Sequence, residues 1–139
     1  MEFMDFEKSE QLDFVGYLRE SVTKEQLEVI AAEKQCSLLI PKPNELFLDV
    51  DTIQQLDRVN ASLKVLDDNG IIYQKKELFS KSGNRHIIIS LPFDVSDELR
   101  VAFQAALGSD PKRELLACLR ILAGVEVVTV FFRPIKRGD

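Results

Sequence analysis

The segment Leu46-Phe47-Leu48-Asp49-Val50-Asp51 constrains this chain more than any other. It is short, strongly apolar and closed by acids, which is the pattern of a strand buried on at least one face. A helical pattern follows at once. Thr52 or Asp51 supplies a cap, Ile53, Leu56, Val59, Leu63 and Leu66 recur at spacings of three and four, and Asn69-Gly70 provides a stop. A strand running straight into a capped helix begins a βα unit, and the rest of the chain has to complete it.

The remaining punctuation gives the order of elements. Thr23 and Gln26 resemble a capping box for a helix carrying Leu27, Ile30 and Ala31 to about Gln35, after which Pro41 and Pro43 break the chain. Ile71–Ser80 and Arg85–Leu91 read as two strands joined by a turn at Lys81-Ser82-Gly83-Asn84. Ser96 caps a helix to Leu107, and Gly108-Ser109-Asp110-Pro111 closes it and opens another, which runs to Gly124. The leucines of that last helix, Leu115, Leu116, Leu119 and Leu122, are expected in the core. Val125–Phe132 is β-branched and aromatic, a fourth strand.

The order β-α-β-β-α(α)-β implies an α+β fold of the RRM/ferredoxin-like type: a split β-α-β, four-stranded antiparallel sheet with helices on one face. Right-handed crossovers set the 46–50 strand beside the 85–91 strand. At 139 residues the chain is expected to be a single domain, with residues 1–20 (Phe3, Phe6, Leu12, Phe14 and Tyr17 among acids) as an N-terminal arm. The net charge of −5 excludes a chain that coats nucleic acid by bulk charge, though not a local basic patch. Lys75, Lys76, Arg133, Lys136 and Arg137 could form one, or could be solvated edge and tail residues. Cys36 and Cys118 read as buried hydrophobes of a reducing compartment, and with one histidine a structural zinc site is excluded. No apolar run reaches the roughly 18 residues of a membrane span and no secretory leader is visible, so the expectation is a cytoplasmic protein without membrane contact.

Alternation along the strands groups the candidate chemistry. Phe47, Asp49 and Asp51 share one face and the aliphatic Leu46, Leu48 and Val50 the other; His86, Ile88 and Ser90 oppose Ile87, Ile89 and Leu91. With the aliphatic sets under the helices, Asp49, Asp51 and His86 meet on the open face at one end of the sheet. Two carboxylates so placed suit Mg²⁺ or Mn²⁺. They are equally the chemistry of a helix cap. The turn Ser82-Gly83-Asn84-Arg85 beside His86 can offer amides and a cation to a triphosphate.

The strand with its hydrophobic-Asp-hydrophobic-Asp motif, followed by Ser82-Gly83 leading into His86, resembles the archaeo-eukaryotic primase (primase-polymerase) superfamily over about residues 44–133. Gly108–Glu114 is similar to the corresponding stretch of small phage-encoded relatives. The resemblance implies metal ligation by Asp49 and Asp51, and contact with the phosphates of a nucleoside triphosphate by Ser82 and His86, helped by Arg85. Asp110 and Glu126 are the candidates for a third acid. Two functions follow as expectations. One is a nucleotidyltransferase acting with single-stranded DNA or RNA, with a protein partner supplying missing parts. The other is an inactive nucleotide- or nucleic-acid-binding regulatory module.

Overall fold

The computed structural model describes residues 23–79 and 84–135. Its elements in chain order are α1 (Lys24–Glu33), β1 (Cys36–Leu39), β2 (Glu45–Val50), α2 (Ile53–Asp68), β3 (Gln74–Phe79), β4 (Arg85–Ser90), α3 (Asp97–Leu107), α4 (Pro111–Ala123) and β5 (Phe131–Pro134). The expected caps hold. Thr23, Ser96 and Asp110 accept from the first turns of α1, α3 and α4, and Thr52 forms a reciprocal capping box with Gln55 on α2.

The fold is mixed α+β with two antiparallel sheets, one of three strands in the order β2-β4-β3 and one of two, β1-β5. The expected adjacency of the 46–50 and 85–91 segments is present, with Asp49 directly opposite His86. The aliphatic face of the three-stranded sheet (Leu46, Leu48, Val50, Ile87 and Ile89) packs on Val59 and Leu63 of α2 and Leu107 of α3. Its other face buries Phe47 and Ile88 beneath Phe131 of β5. That face is therefore covered by the small sheet, where the sequence suggested an open surface.

The fourth strand is the main departure. Of the expected 125–132 segment only Phe131 and Phe132 are in a strand, which runs on to Pro134 and pairs with β1, a strand the sequence did not announce. The free edge of β2 is satisfied by side chains instead. Gln104 Oε1 accepts from the Phe47 N–H at 2.8 Å and Ser109 Oγ from the Asp49 N–H at 2.9 Å. Arg113 donates to the Phe47 carbonyl at 2.7 Å and Arg100 Nε to that of Glu45 at 2.9 Å. A buried strand edge needs these partners, and once polar side chains fill them no further strand can add there.

This edge-capping also reverses the expected faces of α4. Glu114 and Ala117 point inward, while Leu115 and Leu122 are 66% and 77% exposed. Leu116 and Leu119 are partly exposed too, so the leucines are not core. Cys118 on the same helix is exposed, contrary to expectation, whereas Cys36 is buried. Residues 1–20, Ser82, Gly83, Lys136 and Arg137, to which the sequence assigned roles, lie outside the described residues. Among the described residues no helix is long and apolar enough to cross a membrane.

Candidate metal centre

The acids arrive from two elements. Asp49 is the penultimate residue of β2 and Asp51 follows its end; Asp110 caps α4, whose start is fastened to β2 by the Ser109 and Asp110 hydrogen bonds. One oxygen from each of the three carboxylates lies within 4.8 Å of the others, a span that fits oxygen ligation of one hard divalent cation completed by water. Of the two candidates for a third acid, the fold selects Asp110; Glu126 is exposed and outside the cluster.

Crowding leaves an electrostatic mark. Burial, then the neighbouring Asp51 charge, pushes the Asp49 carboxyl up to about 6, with Arg113 opposing. A cation shared among the acids would relieve both causes.

His86 Nε2 lies 3.8 Å from Asp49 Oδ1, beyond hydrogen-bond length. The imidazole is 9% exposed and stacked under Phe131 at 3.9 Å between centroids. Burial, with Arg113 and Arg133 nearby, pushes its pKa down to about 4, so at neutral pH it is uncharged. Its Nδ1 is buried and has no hydrogen-bond partner among the described residues.

A cleft of about 680 Å³ opens beside these groups, lined by Asp49, His86 and Asp110 and by Lys34, Lys112, Arg113 and Arg120. Arg113 Nη1 and Arg120 Nη1 donate to the carbonyls of Phe47 and Val128. Among the described residues, Arg113 Nη2 and Arg120 Nε are buried without acceptors. Unmade hydrogen bonds from buried cations are costly, and an anion in the cleft would complete them.

Other expected residues fall elsewhere. Strand alternation turns Arg85 away from His86; it meets Glu77 at 4.0 Å and, with Asn84 and Asp51, lines a separate depression of about 110 Å³. The cations that do line the cleft were missed in the sequence, because Arg113 and Arg120 sit on a helix whose leucines appeared to define its buried side. Asp110 followed three residues later by Arg113 was the available signal. The chain matches no family model, no curated protein and no solved structure. What the site can do is argued from its residues.

Proposed function

We propose that this chain is a primase-like nucleotidyltransferase core that binds a nucleoside triphosphate with Mg²⁺ or Mn²⁺. The reading rests on one observation: three carboxylates within ligand-sharing distance, two of which, Asp49 and Asp110, line a cleft with four cationic side chains. Asp49, Asp51 and Asp110 would hold the cation, and Arg113, Arg120, Lys34 and Lys112 would neutralise the triphosphate. The bound cation supplies charge neutralisation for the attacking and leaving oxygens.

The transfer itself balances simply. A hydroxyl oxygen of the acceptor bonds to the α-phosphorus, the bond from that phosphorus to the bridging oxygen breaks, pyrophosphate leaves, and the hydroxyl proton passes to water. Neutral His86 lines the cleft without adding charge, and Phe131 above it excludes water. The split β-α-β order of the three-stranded sheet supports the same reading. A second hollow of about 560 Å³, lined by Lys42, Lys75, Lys76 and Arg133, would take the acceptor strand of DNA or RNA through its phosphates.

The test is thermal unfolding with Mn²⁺ and a nucleoside triphosphate, run beside a pyrophosphate-release assay with a primed oligonucleotide. The expected result is a higher melting temperature that disappears in Asp49→Ala, together with release. No shift in the wild type overturns the reading. A shift without release assigns the site to a binding module, a role that the cover of Phe131 over His86 favours.

A further inference from the structure

The negative charge of this chain is not spread evenly. Residues 1–22 hold six acids, Glu2, Asp5, Glu7, Glu10, Asp13 and Glu20, against two bases, Lys8 and Arg19, and so −4 of the whole chain's −5. Phe3, Phe6 and Phe14 stand among these acids. The remainder is close to neutral, with cations gathered at two cavities.

The hollow of about 560 Å³ matches such a segment. Leu39, Ile40, Leu78 and Ile88 give it apolar lining, and Lys42, Lys75, Lys76 and Arg133 give it positive charge. Its one lining acid, Glu45, accepts from the Lys42 N–H at 2.8 Å. Lys75 is paired with Glu77 at 3.1 Å, but among the described residues no carboxylate pairs with Lys42 or Lys76. The other cavity suits an acidic segment less, because Asp49 and Asp110 line it and repel carboxylates.

Reach is ample. Residues 1–22 join the fold at Thr23, the cap of α1. Leu27 of α1 shares a core with Leu38 of β1, and the flanking Ser37 and Leu39 of that strand line the hollow. The ten residues of α1 and the few leading into β1 cover less than about 30 Å. An extended stretch of 22 residues spans up to about 70 Å.

We infer that residues 1–22 dock in this hollow as a built-in competitor of phosphate chains, their phenylalanines on its apolar lining and their carboxylates on Lys42 and Lys76. The docking stands on charge, lining and reach; that it displaces an acceptor strand rests on the function proposed above. A tethered segment meets its site at an effective concentration of order 1 mM, so an affinity of about 0.1 mM fills the hollow roughly nine-tenths of the time.

Carbodiimide cross-linking of the full chain, read by peptide mass spectrometry, tests this. Amide bonds are expected from acids of residues 1–22 to Lys42, Lys75 or Lys76, within a species of 15.8 kDa. They should be lost in about 1 M salt. They should also be lost in the triple variant Phe3→Ser, Phe6→Ser, Phe14→Ser, whose net charge is unchanged. At low salt that variant should bind a fluorescein-labelled oligothymidylate about tenfold more tightly than the wild type. Because the charge is the same, such a gain reports release of the hollow. Absence of these cross-links overturns the inference, as do links to Lys34 or Lys112 instead, or links found only in a species of twice the mass. Equal oligothymidylate affinities in the two proteins overturn it too. If neither protein binds oligothymidylate, the acceptor role of the hollow fails and the cross-links alone decide the docking. The Mn²⁺ response is read from Asp49 and stands or falls separately.

Discussion

The backbone N–H of Asp110 donates to the carbonyl oxygen of Asp49 at 2.8 Å, fastening the first turn of α4 to the last residues of β2. This bond joins two acids 61 positions apart in the chain. With the Ser109 hydroxyl on the Asp49 N–H at 2.9 Å, it holds the loop before α4 in the place that a neighbouring strand would otherwise take. The carboxylate cluster is thus a consequence of how the edge of β2 is closed.

Replacing Asp49 should stabilise the protein while removing its metal response. In the fold its carboxyl is pushed from an ordinary 3.8 to about 6, so ionising it at pH 7.5 costs stability, by up to about 3 kcal/mol. Asp49→Asn removes that charge and nearly keeps the shape. Urea unfolding without metal should show a higher midpoint for the variant, and Mn²⁺ should raise the melting temperature of the wild type alone. A variant less stable than the wild type would contradict the shift.

The pH dependence of stability separates Asp49 from His86. A raised acid contributes stability that is full below about 3.8 and lost as pH rises through about 6. A depressed imidazole contributes stability that is full above 6.5 and lost as pH falls through about 4. Between pH 4 and 6 the folded pair and the unfolded pair each carry one proton, so their contributions cancel. Asp49→Asn should then gain stability relative to the wild type as pH rises from 4 to 6, by about 3 kcal/mol at most. His86→Gln should lose it over the same range. Denaturant midpoints at several pH values measure both, and parallel curves for all three proteins would refute the assignment.

Much of this arrangement was readable in the sequence because it depends on local rules. Alternation along Leu46–Val50 and Arg85–Ser90 placed Asp49 beside His86, and the helix caps at Thr52, Ser96 and Asp110 followed from residue type. What was not readable depends on long-range polar burial. Gln104 and Glu114 look like solvent-facing helical residues, yet they are 0% and 3% exposed, because Gln104 accepts from the Phe47 N–H of a strand distant in sequence and Glu114 accepts from Gln104 and Ser109 behind it. That inward turn of polar residues put the leucines of α4 outside, kept the 125–130 segment from pairing with β2, and brought Arg113 to the cleft.

Glu114 should be the most sensitive residue of this edge. Its two oxygens accept from Gln104 at 2.8 Å and Ser109 at 2.7 Å, and it lies 3.6 Å from Arg113. Glu114→Ala takes the buried acceptors from Gln104 and Ser109 and one of three nearby acids from the Arg113 guanidinium, which keeps the Phe47 carbonyl, a loss of about 1–3 kcal/mol. Glu114→Gln keeps the volume and one acceptor and should lose less. Urea unfolding gives both values; an alanine variant as stable as the wild type would mean that the edge is held by something else.

Phe131 should set the titration of the imidazole. Its ring stacks on His86 at 3.9 Å and on Phe47 at 4.5 Å, and desolvation is the largest cause of the depressed His86 pKa. Phe131→Ala removes the cover, costs about 3–5 kcal/mol of packing, and admits water to the ring. The imidazole should then titrate closer to its ordinary 6.5 than the wild type's value of about 4. Phe131→Leu keeps an apolar cover and should fall between the two. The chain contains one histidine, so a single imidazole C–H resonance followed by NMR against pH reports the group without ambiguity. A wild-type midpoint near 6.5, unchanged in the alanine variant, would show that water already reaches the ring and that Phe131 does not seal this side of the cleft.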